Sequence, residues 1–107
     1  MFERTLEIEP DYVEALTNLG RLLLDAGEVD TAETHLLRAT RVHPRFSDAL
    51  LYLGRTYEAQ GRIPEAIEQF ERTLEQEPVH VRANIGLAYL FAQQGRAEEA
   101  SARARVV

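Results

Sequence analysis

The feature that most constrains the fold of this chain is a sequence pattern that recurs every 34 residues. The prolines that show it are Pro10, Pro44 and Pro78. Glycines, leucines and alanines keep the same step at Gly27, Gly61 and Gly95, at Leu19, Leu53 and Leu87, and at Ala32, Ala66 and Ala100. A fixed period of this length, with two helical halves, predicts a stacked array of helix pairs rather than one closed core.

The first half of each period has the pattern of an amphipathic helix. In the middle period Leu50, Leu53 and Tyr57 fall at i, i+3 and i+7, which places them on one helix face. Gly54 lies on that face, and Gly20 stands at the same place one period earlier. Because glycine inside a helix costs about 1 kcal/mol relative to alanine, its repetition predicts close approach of a neighbouring helix.

The boundary signals predict about seven antiparallel helices joined by short linkers. Asp11 is predicted to cap the second helix, Gly27 to end it, and Pro64 to lie in the first turn of the fifth. The predicted helices span residues 1–9, 11–26, 29–42, 45–60, 64–76, 79–94 and 97–106. We expect one array over residues 1–107, with a partial repeat at 1–10 and repeats at 11–44, 45–78 and 79–107, the last C-terminally short.

The spacing and the residue types resemble the tetratricopeptide repeat. The residues of the middle repeat that carry the resemblance are Leu50, Leu53, Gly54, Tyr57, Ala66, Phe70 and Pro78. The resemblance covers nearly all of the chain and implies an all-α fold, a right-handed superhelix of antiparallel helix pairs. It also implies a function, because the stacked first helices of this family line a concave groove that holds an extended peptide or a partner helix.

Composition excludes several classes of function. The net charge of −6 argues against a nucleic-acid partner, which would call for a basic surface. The absence of cysteine excludes disulfides and thiolate metal sites. No apolar run approaches membrane-spanning length and the N-terminus has no signal-peptide core, so we expect a cytoplasmic protein without membrane insertion. All 12 basic residues are arginine, which we interpret as a sign of GC-rich bacterial coding.

No motif for catalysis is present. The three histidines, His35, His43 and His80, lack the spacing of a helical zinc pair. The two serines, Ser47 and Ser101, lie outside any G-x-S-x-G sequence. We therefore expect no enzyme activity, no metal and no cofactor.

The residues that point to binding lie off the core face of the first helices. At i, i+4 and i+7 these helices carry Thr17, Arg21 and Leu24, then Leu51, Arg55 and Glu58, then Ile85, Tyr89 and Ala92. We predict a peptide-binding surface made of Thr17, Asn18, Arg21, Leu51, Tyr52, Arg55, Arg82, Ile85 and Tyr89. Arginine and tyrosine are favoured interface anchors, and the arginines favour an acidic segment with an apolar or aromatic anchor.

Two observations limit how these residues are interpreted. Arg21 and Arg55 could pair with Asp25 and Glu58 on their own helices, and such surface pairs need no ligand. Some members of the family bind a C-terminal carboxylate through a clamp of lysine, asparagine and arginine. The five clamp positions here hold Thr17, Arg21, Tyr52, Arg82 and Gly86. Only Arg82 is close in kind, so we do not expect that ligand.

Three functional hypotheses follow. The first is a non-catalytic scaffold that binds a protein or peptide partner in its groove. The second is a self-assembling element, because Phe2 and Leu6 at one end, and Ala100 and Ala104 at the other, lack covering partners within the chain. The third is a targeting appendage of a larger enzyme.

Overall fold

The computed structural model describes residues 10–105, which form six helices and no strand. The helices are α1 (Pro10–Asp25), α2 (Val29–Val42), α3 (Ser47–Ala59), α4 (Ile63–Gln76), α5 (Val81–Gln93) and α6 (Ala97–Ala104). The all-α prediction is confirmed. The helix predicted for residues 1–9 lies outside the described residues, so the assignment of a partial repeat there stays a prediction.

The turn inside each helix pair depends on a glycine. Gly27, Gly61 and Gly95 have φ values of 86°, 77° and 75°. Residues with a Cβ rarely adopt this left-handed conformation, whereas glycine does so without steric cost. The prediction that Gly27 ends its helix is therefore confirmed, and the 34-residue spacing carries the same turn through the array.

The starts of the first helices differ slightly from the prediction. α3 begins at Ser47 and α5 at Val81, each two residues later than predicted. Before α3, the N–H of Phe46 donates to the carbonyl of His43 at 3.2 Å, and the equivalent bond before α5 is 3.0 Å. The residues after each proline thus close a turn before the helix begins. Asp11 lies inside α1 and is not its cap, because the helix already includes the preceding proline.

The helices stack as three pairs, α1–α2, α3–α4 and α5–α6. Each second helix also packs against the first helix of the next pair, and successive first helices touch one another. The result measures 51 × 27 × 18 Å. Leu53, on α3 between two such neighbours, is only 2% exposed, as predicted from its place in the complete repeat.

The predicted close approach at Gly54 is confirmed. A Cβ at Gly54 would lie 2.8 Å from Cε1 of Phe70, and a Cβ at Gly86 would lie 2.9 Å from Cε2 of the same ring. Phe70, from α4, is therefore held between α3 and α5 at places where neither helix carries a side chain. Gly20 meets Leu36 in the same way in the first pair, at 2.5 Å.

The first and last of the described helices are less covered than those between them. Leu19 and Leu22 on α1 are 41% and 56% exposed, and no residue of α6 is buried. Within the described range, none of the helices has both the length and the apolar character needed to cross a bilayer.

Candidate functional site

The candidate site lies on the groove face, which we define as the surface of α1, α3 and α5 away from their own second helices. At its centre the hydroxyl of Tyr52 accepts a hydrogen bond of 3.0 Å from Nη1 of Arg82. The guanidinium carbon of Arg55 lies 5.8 Å from the centroid of the same ring, within cation–π range. Two guanidinium groups therefore flank one largely buried tyrosine where the second and third pairs meet.

A pocket of about 390 Å³ opens beside these arginines, and we call it the Gly86 pocket. It is lined by Arg55, Glu58, Phe70, Arg82, Ile85, Gly86 and Tyr89. Ile85 and Tyr89 are each more than half exposed. The Tyr89 hydroxyl accepts a 2.9 Å hydrogen bond from the side-chain amide of Gln93, one helical turn further on. The pocket thus combines apolar walls with a cationic rim.

A second pocket, of about 430 Å³, lies on the other side of Arg82. We call it the Asp48 pocket, and its lining residues are Asp48, Leu51, Tyr52, Glu77, Val79, His80, Val81 and Arg82. At its border the Ser47 hydroxyl donates a hydrogen bond to the carboxylate of Glu77. Two carboxylates beside one arginine give this pocket a mixed charge, so it favours an anionic ligand less than the Gly86 pocket does.

The arginines of the groove face form no ion pair with any residue that the structure describes. The ion pairs found there are Arg62–Glu33 at 3.0 Å, Arg62–Glu65 at 3.2 Å and Arg96–Glu99 at 2.5 Å. The alternative in which Arg21 pairs with Asp25, and Arg55 with Glu58, is therefore not what the structure shows. Arg55 and Arg82 keep guanidinium N–H groups that a ligand can use.

Glu58 is the one carboxylate in the Gly86 pocket. Burial raises its pKa, because removal from water disfavours the charged form, and the charge of Arg55 offsets part of that shift. A further carboxylate placed inside the pocket would be repelled by Glu58 and would lose its own hydration. A neutral group is better suited to the interior.

Not all predicted site residues face the groove. Thr17 and Leu51 are buried, at 3% and 2% exposed, because successive first helices pack against each other at these places. Both were predicted to lie off the core, and for both the structure corrects that placement. Ile85 stands at the same repeat place and is exposed, since no described first helix follows it.

The first repeat contributes less to the site than predicted. Asn18 is exposed and Arg21 is half-buried, but neither lines the Gly86 pocket or the Asp48 pocket. The site residues that the structure brings together are Tyr52, Arg55, Arg82, Ile85 and Tyr89, with Leu51 beneath. The site therefore centres on the second and third pairs.

The sequence prediction did not include Gly86 as a pocket-forming residue. Gly86 stands 34 residues after Tyr52, so α5 carries no side chain where the previous repeat carries a phenol ring. The sequence feature that could have indicated the pocket is a glycine at a groove position inside a helix rather than at a helix end. Among residues 10–105 no group of three or more histidine or acidic side chains could hold a metal ion.

Comparisons with known proteins agree with this architecture. A family profile described as tetratricopeptide repeat matches residues 1–39, 17–74 and 53–104. A comparison with curated protein sequences gave no match. A solved structure of a MamA mutant is 29% identical, with a TM-score of 0.80 over 97% of this chain and 76% of that one.

The type III secretion translocator chaperone SycD of Yersinia enterocolitica is also similar in structure. It is 22% identical, with a TM-score of 0.85 over 92% of this chain and 75% of its own. A further structure, 21% identical over 92% of this chain and 76% of that one, with a TM-score of 0.85, contains SycD with a peptide of the translocator YopD. At these identities the SycD structures establish a shared fold. Because the family profile matches repeats along nearly the whole sequence, the chain belongs to the tetratricopeptide repeat family.

Proposed function

We propose that this chain is a non-catalytic protein-binding scaffold whose groove face holds an extended, acidic segment of a partner protein. The proposal rests on one observation: the guanidinium groups of Arg55 and Arg82 both lie beside Tyr52, and neither has an ion-pair partner among the described residues. SycD, which has this fold, is known in complex with a peptide, and this supports a peptide as the class of ligand.

The charge arrangement favours acidic segments. A guanidinium group stays protonated at any physiological pH, and a hydrogen bond between it and a carboxylate contributes about 1.5–3 kcal/mol. Within residues 10–105 no ion pair has to be broken first, since neither arginine is paired there. The chain as a whole has a net charge of −6, so its surface outside the groove repels acidic proteins, which increases the selectivity for partners that reach the groove.

The proposal is tested by selecting peptides from a displayed random library and titrating the best one against the wild type and two variants. Arg55→Ala removes a groove arginine, whereas Arg41→Ala removes an exposed arginine from α2 and serves as the charge-matched control. We expect Arg55→Ala to weaken binding by about 1.5–3 kcal/mol without unfolding the chain, and Arg41→Ala to leave affinity unchanged.

The titrations are repeated at low and high salt. Binding through exposed arginines should weaken as the salt concentration rises, and Arg55→Ala should reduce that dependence. Selection of peptides without acidic residues would contradict the proposal. So would equal affinities of the wild type and Arg55→Ala with no effect of salt.

Self-association through the ends is a second candidate function, favoured by the exposed face of α1. Leu19 is 41% exposed, whereas Leu53 at the same repeat place is 2% exposed under the second helix of the preceding pair. This face therefore has the form of a surface that receives a second helix, a place that the repeat pattern predicts for residues 1–9 and that self-association gives to a helix of another protomer. At the other end Ala100 is half-buried and Ala104 exposed. Phe2 and Leu6, the other predicted contacts, lie outside the described residues.

Sedimentation velocity over a range of concentrations tests this second candidate. We expect a concentration-dependent dimer or chain of protomers, which Leu22→Glu abolishes because it places a charge in the exposed face. Val79→Glu is the matched control, because Val79 is exposed and apolar but lies between α4 and α5. A wild type that stays monomeric at every concentration rejects self-association.

A further inference from the structure

The Gly86 pocket lies at a place where one repeat lacks a side chain that the previous repeat has. α5 carries Gly86 where α3 carries Tyr52, 34 residues earlier. A Cβ at Gly86 would lie 2.9 Å from Cε2 of Phe70, so that ring meets the helix here and forms the floor of the pocket. The volume of about 390 Å³ is at the low end of the roughly 300–1,000 Å³ typical of ligand pockets. That size is suited to a single side chain rather than to a large cofactor.

The residues that face each other between consecutive pairs change in size along the array. Between the first and second pairs, Leu36 stands at the place of Phe70 and Tyr52 at the place of Gly86. Going from leucine to phenylalanine adds far fewer atoms than going from tyrosine to glycine removes. The contact between the second and third helix pairs is therefore not fully packed on the side that faces the groove, although Phe70 itself is buried. Apolar surface left open in this way is typical of contact sites.

The walls of the pocket decide which chemistry fits. Ile85 and Tyr89 offer exposed apolar surface, and Arg55 and Arg82 contribute to the cationic rim. Glu58 opposes a carboxylate in the interior, for the reasons of burial and charge given above. Acidic residues of a ligand are thus best placed at the rim, with a neutral side chain between them pointing inward.

We infer that the Gly86 pocket takes one aromatic or large aliphatic side chain of the bound segment, flanked by acidic residues that contact Arg55 and Arg82. This inference rests on the proposed binding of an acidic segment and adds its sequence requirement. An aromatic ring buries a large apolar area and can stack on the exposed tyrosine and the guanidinium groups. The recognised motif is therefore acidic–aromatic–acidic, with Gly86 as the residue that determines specificity.

Two fluorescein-labelled peptides of equal charge test the inference. Their sequences are Glu-Asp-Glu-Phe-Glu-Asp-Glu and Glu-Asp-Glu-Ala-Glu-Asp-Glu, and their affinities are measured by fluorescence anisotropy. We expect the phenylalanine peptide to bind the wild type about ten- to hundredfold more tightly, because burying an aromatic side chain contributes about 1.5–3 kcal/mol.

A variant that fills the pocket provides the decisive comparison. Phe70→Leu combined with Gly86→Tyr introduces the residues that stand at the equivalent places one repeat earlier, Leu36 and Tyr52. We expect the filled variant to bind both peptides with the affinity of the alanine peptide and to keep its salt dependence. Tyr89→Ala removes an exposed wall without touching the core and should reduce the preference for phenylalanine.

The outcomes separate this inference from the proposal on which it rests. Equal binding of the two peptides to the wild type overturns the anchor pocket and leaves the acidic-segment proposal intact. A filled variant that melts cooperatively and still prefers the phenylalanine peptide also overturns the anchor pocket. Failure of both peptides to bind the wild type overturns the acidic-segment proposal and this inference with it.

Discussion

The hydroxyl of Tyr52 accepts a 3.0 Å hydrogen bond from Nη1 of Arg82, and this bond joins the core of one repeat to the groove face of the next. Tyr52 is 8% exposed, so its ring belongs to the core while its hydroxyl reaches the rim of the site. Arg82 is exposed and lies at the start of α5. Tyr52, which is fixed by packing in the core, therefore sets the position of Arg82 on the groove face.

The two parts of Tyr52 should contribute differently to stability. Tyr52→Phe removes only the hydroxyl, and we expect it to lower the free energy of unfolding by about 0.5–1.5 kcal/mol. Tyr52→Ala also removes the ring and should lower it by about 3–5 kcal/mol, the range for deleting a buried aromatic side chain. Urea denaturation measures both. Equal losses in the two variants would contradict the division between core ring and groove hydroxyl.

Leucines at equivalent repeat places should differ in their contribution to stability. Leu53→Ala should lower the free energy of unfolding by about 2–5 kcal/mol, because the side chain is 2% exposed between helices. Leu19→Ala is the matched control, since Leu19 stands at the same place in the first repeat but is 41% exposed. We expect it to cost about 1 kcal/mol at most. Thermal or urea unfolding that gives the two variants equal stability would reject the repeat architecture.

Within a helix pair, the size of the small residue on the first helix matches the size of the side chain opposite it on the second helix. Gly54→Ala would place a Cβ 2.8 Å from the ring of Phe70, an overpacking that costs about 1–3 kcal/mol. Alanine contributes about 1 kcal/mol of helix propensity in return, so we expect a net loss of about 0–2 kcal/mol. Ala88 stands at the same place in the third repeat, where Ala104 replaces Phe70. Ala88→Gly should therefore also destabilise, by about 1 kcal/mol. A Gly54→Ala variant more stable than the wild type would contradict the steric explanation.

The fold could be predicted well from the sequence because each weak local pattern recurs at the same place in every repeat. A single glycine at Gly27 indicates a turn only weakly, but the same residue recurs at a fixed step and each copy adopts the same positive φ. The burial of Leu53 followed from its place at the centre of the complete repeat, with helices on both sides. The starts of α3 and α5 were less predictable, because the turn after each proline depends on backbone hydrogen bonds that no side-chain pattern specifies.

The site was less predictable because it depends on contacts between repeats. The helical period placed Thr17 and Leu51 off the core of their own pair, but it carried no information on the next first helix that covers them. The Gly86 pocket likewise arises from the sizes of two residues on different helices, Phe70 and Gly86. Sequence spacing shows which residues are equivalent, whereas the space left between them depends on the packing of whole helices.

Stability should depend on pH through Glu33, which joins the first and second pairs. Its pKa lies below the ordinary value because Gln60 donates a hydrogen bond to it, and Arg62 contributes a further hydrogen bond and its charge, which together exceed the effect of burial. A depressed carboxyl pKa in the folded state stabilises the fold above the unfolded pKa of 4.5, and this contribution is lost as the pH falls through the folded value. Because the Arg62 side chain is 40% exposed, we expect only about 0–1 kcal/mol at neutral pH.

Glu33→Gln should therefore be slightly less stable than the wild type at neutral pH. The difference should shrink as the pH falls below about 4.5, because the wild-type carboxyl then becomes protonated. Glu75→Gln, which removes an exposed carboxylate from α4, is the matched control and should show no such convergence. Urea titrations at a series of pH values measure the effect. A constant difference between Glu33→Gln and the wild type at every pH would show that the carboxylate charge is not responsible.

Glu58 should have the opposite effect on stability and should also limit binding. Its pKa is raised by burial, so the charged form is disfavoured in the fold and costs stability as the pH rises above the unfolded value. Glu58→Gln removes that charge and should be more stable than the wild type at neutral pH. The same change removes a negative charge beside Arg55, and we expect it to strengthen binding of the phenylalanine peptide by about 1 kcal/mol.

The control for Glu58→Gln has to change the net charge equally without touching the groove. Glu68→Gln does so, because Glu68 is an exposed carboxylate on α4 that lines neither the Gly86 pocket nor the Asp48 pocket. If the gain in affinity comes from local charge, Glu58→Gln should exceed Glu68→Gln severalfold at low salt, and the difference should persist at high salt because Glu58 is partly shielded from solvent. Equal gains in the two variants would mean that only net charge matters. Weaker binding by Glu58→Gln would mean that Glu58 positions Arg55 for the ligand rather than repelling it.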